Sequence, residues 1–322
     1  MLPTRAVRPF GSSILAAAFL LTCLATPAAA QAPAADAGPN AGDLHTTGNL
    51  DFSNAYFFRG IRQETDGLII QPSLDVGYTL YKGEGSLKTF SLNVGTWNSI
   101  HHDAPSGQRN PNNPNAPAPW YESDFYATLS FGVSGGVNVG VTYTAYTSPS
   151  SAFSTVKEVG FKFTVDDTRW THKYSLKPYG LIAAEFDTAT GTGQADGAFC
   201  QGTFVDGCSG AGTYIEIGGA PSFPVWKQLT VAIPLKAGFG LIDYYQASFL
   251  DANGQVTSLD SKFGFFSIAG AVSVPFPSKP GRLGSWNLHG SVEYLALGEM
   301  PKFVNNDDGS QVNVIVGLGF SY

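Results

Sequence analysis

The chain has 322 residues and a formal net charge of −7, and only 13% of its residues are Asp, Glu, Lys or Arg, about half the share usual in a soluble domain. The acidic balance argues against nucleic acid as a partner. Past the N-terminus no run of about 18 apolar residues offers a membrane-spanning helix. The low charge, 38 glycines and 13% aromatic residues fit an outer-membrane barrel or a secreted β-sandwich, so patterning has to decide.

The first thirty residues read as an export signal. Arg5 and Arg8 form a basic head, Ile14 to Leu24 an apolar middle, and Ala28-Ala29-Ala30 a small-residue cleavage site, with cleavage expected before Gln31. Cys23 follows Thr22, a poor fit to a lipidation site. Residues 31–44 are Ala/Pro/Gly-rich and aperiodic, a flexible lead-in. Residues 45–322 are expected to form one barrel.

From there the chain alternates with period two, the mark of half-buried strands. A first strand over 45–58 puts Leu50, Phe52, Tyr56 and Phe58 opposite Asn49, Asp51 and Ser53. The second (68–81) opposes Leu74, Val76 and Tyr78 to Ser73, Asp75 and Gly77, and the third opposes Phe90, Leu92 and Val94 to Ser91, Asn93 and Gly95. A long Pro/Asn-rich loop, 98–119, precedes the fourth strand (121–133), with Phe125, Leu129 and Phe131 opposite Asp124, Tyr126, Thr128 and Ser130. Ser134-Gly135-Gly136 turns it into a fifth strand from Val137 to Thr144. The sixth sets Val159, Phe161, Phe163 and Val165 against Glu158, Gly160, Lys162 and Thr164, and the seventh (174–186) groups Lys177, Tyr179, Ala183 and Glu185. The loop 187–211 carries Cys200 and Cys208, which in an exported chain read as a local disulfide. The eighth strand (212–223) opposes Ile215 and Ile217 to Tyr214 and Glu216; the ninth opposes Leu229 to Phe239 on odd positions to Thr230, Lys236 and Gly238. After a loop at 246–261, the tenth sets Phe266, Ile268 and Val272 against Ser267, Ala269 and Ser273. The eleventh sets Trp286, Leu288, Val292 and Tyr294 against Asn287, His289, Ser291 and Glu293. A loop at 298–310 leads to the last strand, where Val312, Val314, Val316, Leu318, Phe320 and Tyr322 share a face and Ile315 alone breaks the polar one.

About twelve strands joined alternately by long and short connections describe an all-β, up-and-down transmembrane barrel in the bacterial outer membrane, with both termini periplasmic. Closure satisfies every backbone donor and acceptor, as lipid requires. Aromatics near strand ends, among them Tyr56, Phe58, Tyr78, Tyr81, Trp97, Tyr143, Tyr174, Trp286, Tyr294 and Tyr322, suggest interfacial girdles.

Ser53-Asn54-Ala55-Tyr56-Phe57-Phe58-Arg59-Gly60-Ile61-Arg62-Gln63, followed by Gln71 before the second strand, resembles the opening of the TorF-type putative porins. That family begins with Ser-x-x-Tyr-x-x-Arg-Gly-hydrophobic-x-Gln. Glu122 to Gly160 is a second similarity, although Tyr146-Thr147-Ser148-Pro149 stands where the family has Tyr-x-Tyr-Pro. The resemblance implies a porin-like barrel and carries no substrate with it.

The expected lumen face holds Asp51, Asp75, Asp124, Glu158, Glu185, Glu216 and Glu293 against Lys162, Lys177 and Lys236. If water fills the interior, the acidic excess favours cations; if these groups pair across a narrow barrel, they plug it. The lumenal Gly, Ser, Ala and Thr residues suggest some open space. Arg59 reads as a rim charge or as the partner of a lumenal or loop carboxylate. His289-Gly290-Ser291 has the spacing of a barrel lipid hydrolase, but its parity points both side chains away from lipid. His101-His102-Asp103 reads as a solvated loop, with no further His or Cys nearby to complete a metal site. No cofactor is needed. The reading reached is a porin-like channel for small hydrophilic solutes or ions. The alternative is a narrow barrel whose external loops act at the surface.

Overall fold

A computed structural model describes residues 42–65, 67–102, 119–171, 175–186, 212–226, 229–242, 244–250, 253, 255–276 and 284–322. Residues 1–41, which hold the expected export signal and most of the expected lead-in, lie outside them, as do Tyr174, Cys200 and Cys208.

The strands in chain order are β1 (Leu44–Ser53), β2 (Tyr56–Phe58), β3 (Ile61–Glu64), β4 (Ile69–Lys82), β5 (Leu87–His101), β6 (Trp120–Val133), β7 (Val137–Thr147), β8 (Val156–Val165) and β9 (Tyr179–Phe186). They continue as β10 (Thr213–Gly219), β11 (Ser222–Trp226), β12 (Leu229–Ala232), β13 (Leu235–Ile242), β14 (Gln246–Leu250), β15 (Val256–Asp260), β16 (Phe263–Pro275), β17 (Ser285–Leu297) and β18 (Ser310–Ser321). Two short helices lie in connections: α1 (Thr168–Thr171) and α2 (Glu299–Val304).

Each wall strand pairs antiparallel with its neighbour in sequence, and β18 pairs with β1 to close the ring. β10 and β11 are two halves of one stave, and β12 and β13 are two halves of the next. Both staves break at facing prolines, Pro221 and Pro234, which have no N–H to give the ladder. Ile233 N donates to Pro221 O at 2.9 Å and Ala269 N to Pro234 O at 2.8 Å, so the carbonyls at the break stay satisfied. Counted this way the barrel has twelve staves.

Its polarity is inside out. Phe125 and Val292 are 56% and 55% exposed, whereas Asp124 and Glu158 are 2% and 1% exposed. An apolar outer wall on a closed antiparallel ring is the form in which strands cross a membrane. No described helix is long and apolar enough to do so. Tyr78, Tyr81, Tyr143, Trp286, Tyr294 and Tyr322 stand exposed on the outside, as a girdle requires. Tyr56, Phe58 and Trp97 do not: they are buried in the interior. Trp97 follows the lumenal parity of β5, whereas Tyr56 and Phe58 have left the wall altogether.

The lumenal glycines are seats rather than open space. Gly317 of β18 lies between Asp51 of β1 and His289 of β17 in register. The side chains of these neighbours meet across it, with His289 Nε2 2.7 Å from Asp51 Oδ1. This stitch spans the closing seam. A Cβ on Gly317 would fall 2.0 Å from Asp51 Oδ1 and 2.6 Å from His289 Nε2. Gly317→Val is therefore expected to lower the temperature at which the folded, fast-migrating band is lost on semi-native electrophoresis, by the ~1–3 kcal/mol typical of overpacking. Gly270→Val, where nothing lies within 4 Å of the new Cβ, should leave it unchanged. Equal thermal loss in the two variants would contradict the seam reading.

Candidate functional site in the barrel lumen

The wall strand expected over 45–58 ends at Ser53. Asn54 there spends its side chain on the neighbouring stave, accepting from Val314 N at 2.7 Å. Ala55 to Phe58 is an uninterrupted apolar run, and all four residues are buried. Such a run has no wet face and fits a segment buried on both sides. It returns through Arg59-Gly60 as the hairpin β2–β3, a two-stranded sheet separate from the wall. Arg59 and Gly60 have φ of 49° and 84°, the pair of positive values that a primed two-residue turn demands. Gly60 meets that demand without strain and sits against Phe265, whose ring a Cβ would approach to 3.1–3.3 Å. Arg59 meets it at some cost.

The hairpin lies across the lumen and touches staves all round it. Tyr56 packs on Trp97 of β5 with ring centroids 5.2 Å apart, and Phe58 meets Tyr146 of β7 edge-on at 5.3 Å. Tyr121 of β6 donates to Gln63 Oε1 at 2.5 Å. The turn is gripped from the loops as well. Tyr245, at the base of the β14–β15 hairpin, donates to Arg59 O at 2.9 Å. Asn305, just after α2, donates through Nδ2 to Gly60 O and accepts from Arg62 N through Oδ1, both at 2.9 Å. The grip thus comes from Tyr245, just before the loop expected at 246–261, and from Asn305 within the loop expected at 298–310.

Arg59 is the centre of this arrangement. Expected as a rim charge or as the partner of a carboxylate, it is buried in the lumen with a lumenal carboxylate. Its Nη1 lies 2.6 Å from Glu158 Oε2 and its Nη2 2.9 Å from Glu158 Oε1, a two-pronged pairing. Nη1 also donates to Tyr244 Oη at 2.6 Å. A second carboxylate, Glu185, stands with Oε1 3.8 Å from Nη1. The guanidinium carbon sits 4.2 Å from the Tyr214 ring centre and 4.8 Å from that of Phe58. Tyr146 Oη donates to Glu158 Oε1 at 3.0 Å.

A second cluster lies against the hairpin on the β5–β6 side. Glu122 and Asp124 are both buried and adjacent on the lumenal face of β6, with Tyr56 beside Glu122. His101, expected in a solvated loop, is instead the buried end of β5: it stacks on Tyr121 at 4.6 Å, and its Nδ1 lies 3.6 Å from Glu64 Oε2. Asp103 lies outside the described residues. Among the described residues no group of three His, Cys, Asp or Glu could hold a metal ion.

Toward the termini the remaining lumenal charges are locally paired. Asp75 accepts from Asn93 at 2.7 Å. Glu216 accepts from Tyr179 at 2.7 Å and Tyr214 at 2.6 Å. Lys236 Nζ lies 3.4 Å from Glu293 Oε1, and Lys162 Nζ lies 4.5 Å from the centre of the Tyr179 ring. Lys177 is a correction. It precedes β9, is exposed in the connecting turn with φ 47°, and bonds Ser222 Oγ at 2.9 Å. β9 starts two residues after it, at Tyr179, so the parity that put Lys177 in the lumen does not reach it.

Two signals for the hairpin were present in the sequence: the break in alternation at Ala55–Phe58, and a two-residue Arg-Gly link between β-prone runs. Nothing comparable marks Tyr244, Tyr245 or Asn305, which arrive from loops without periodicity.

No family model matches the chain and no curated protein matches it. Among solved structures it is similar to the outer membrane phospholipase A from Escherichia coli, at 9% identity over 85% of this chain and 92% of that one, with a TM-score of 0.41. It is similar to an outer membrane channel from Pseudomonas putida F1 at 10% identity, 87% and 95% coverage and a TM-score of 0.40. It is also similar to the NanC porin, at 14% identity, 86% and 98% coverage and a TM-score of 0.37. Likenesses this distant transfer no activity to the chain.

Proposed function

We propose that the protein is an outer-membrane channel for small hydrophilic solutes, closed at rest by its own first-loop hairpin and mildly cation-preferring when open. The observation that carries this is the independence of gate and wall. The staves form a complete ring without β2 and β3, and the hairpin shares no ladder with them. Its polar anchors, Glu158, Tyr245 and Asn305, are bonds that water can replace: the two neutral ones are worth about 0.5–1.5 kcal/mol net each, and the charged one to Glu158 more. Moving the hairpin would therefore leave the barrel standing and wet a lumen whose charges are mostly acidic. A hydrolase is disfavoured by the geometry: both ring nitrogens of His289 are engaged, by Asp51 at 2.7 Å and Asn287 at 3.1 Å, leaving no base for Ser291.

The test is a planar-bilayer recording of the refolded, full-length protein under a salt gradient. Brief openings from a closed baseline, with a reversal potential displaced toward that of the cation, are expected. Continuous silence from protein shown to be folded by its heat-modifiable mobility would favour the second reading, which the packed lumen also supports: a closed barrel whose long loops act at the cell surface.

A further inference from the structure

Arg59 occupies a cage that the rest of the chain builds for a guanidinium. Glu158 of β8 offers one carboxylate oxygen to each terminal nitrogen of the fork. Glu185 of β9 adds a second buried carboxylate whose Oε1 has no hydrogen-bond partner and faces Nη1 from 3.8 Å. Tyr214 of β10 supplies a ring face at 4.2 Å, Tyr244 a hydroxyl at 2.6 Å, and Tyr146 steadies Glu158. Every one of these groups belongs to the wall or to the connection after β13, and none to the hairpin that brings Arg59. Two carboxyl groups stand around one guanidinium, so the cage is acidic. It is also lined by aromatic faces, which favour a weakly hydrated planar cation over sodium or potassium.

We infer that this cage is a binding site for solutes carrying a guanidinium group, and that Arg59 sits in it as a tethered stand-in for such a solute. The inference deepens the channel reading by naming a solute class and a means of release. A guanidinium entering the cage removes the main charged anchor of the hairpin. A tethered group competes at an effective concentration of millimolar or more, and Tyr245 and Asn305 hold the hairpin besides. Free solute therefore has to be abundant, or the hairpin loosened, before it wins.

The experiment reads binding without requiring conductance. Arg59→Ala full-length protein in detergent is titrated with methylguanidinium, with methylurea as the uncharged isostere, and thermal loss of the folded band is followed. Saturable stabilisation by methylguanidinium in the millimolar range is expected, at least tenfold tighter than any effect of methylurea. It should be absent from the wild type and weakened at least tenfold by adding Glu158→Gln. Equal responses to the two probes, or an undiminished response without Glu158, would overturn the assignment. If Arg59→Ala does not fold, Asn305→Ala serves, since it loosens the turn and leaves the cage intact. There methylguanidinium, and not methylurea, should expose the Arg59–Gly60 bond to trypsin, read by fragment mass; protection unchanged by methylguanidinium would overturn it equally. Binding by a barrel that never conducts would keep this inference and remove the channel.

Discussion

Under the proposed channel function, excising Ala55–Glu64 is expected to turn a barrel that opens only briefly into a steady conductor. The deletion is feasible because the two staves it joins are already neighbours: Ser53 of β1 pairs with Ile69 of β4, so a short Gly-Ser link from Asn54 to Thr65 need only turn between adjacent strands. The ring should survive, since the hairpin supplies none of its ladder bonds. What is lost is the material across the lumen: Tyr56, Phe58, Arg59 and Ile61, all buried in the intact chain. Twelve staves enclose more than the side-chain-filled bore of an eight-stranded barrel and less than a sixteen-stranded porin, so the expected rise in time-averaged conductance is at least about tenfold rather than a wide-porin current. Glu158, Glu185, Glu122 and Asp124 would then face water without Arg59, so cation selectivity should increase with the current. A folded excision variant that stays silent would place the barrier elsewhere, in the Tyr244–Tyr245 connection and α2.

The wall of this barrel was readable from alternation because each stave has one face in an apolar medium and the other in a polar interior, the condition under which period two is written into a strand. β6 shows it cleanly: Phe125 and Leu129 lie outside, Asp124 and Thr128 inside. The same condition fails for the hairpin. Tyr56, Phe57, Phe58 and Ile61 are buried on every side, so their parity carries no information, and extending the β1 pattern through them put two plug residues on the lipid face. The charges were readable as lumenal and not as partners. Glu158 and Arg59 are 99 positions apart, and no local pattern connects a turn tip to a stave on the far wall. The lumenal glycines misled in another way. In a sequence they suggest space, but the space at Gly317 is filled by the side chains of the two staves beside it.

Arg59→Ala is expected to open the channel more than Glu158→Gln, and the double variant to fall between the wild type and Arg59→Ala. Breaking a buried ion pair from one side costs about 3–5 kcal/mol, mostly because the other charge is stranded. Arg59→Ala strands the Glu158 carboxylate, with the second carboxyl of Glu185 beside it, against the closed hairpin. Opening lets water reach them, so the closed state bears the penalty and the open fraction rises, by about a hundredfold for ~3 kcal/mol. Glu158→Gln is milder because Glu185, 3.8 Å from Nη1, can still answer the guanidinium, and Gln keeps an oxygen to accept from it. In the double variant one carboxylate fewer is stranded, so part of the effect of Arg59→Ala should be undone, a coupling that two independent anchors would not show. Open probability in planar bilayers measures all three. If Arg59→Ala opened no more often than the wild type, the ion pair would not be the latch. Closure would then rest on the packing of Tyr56 against Trp97 and of Phe58 against Tyr146, and truncating those rings would be the change that opens the barrel.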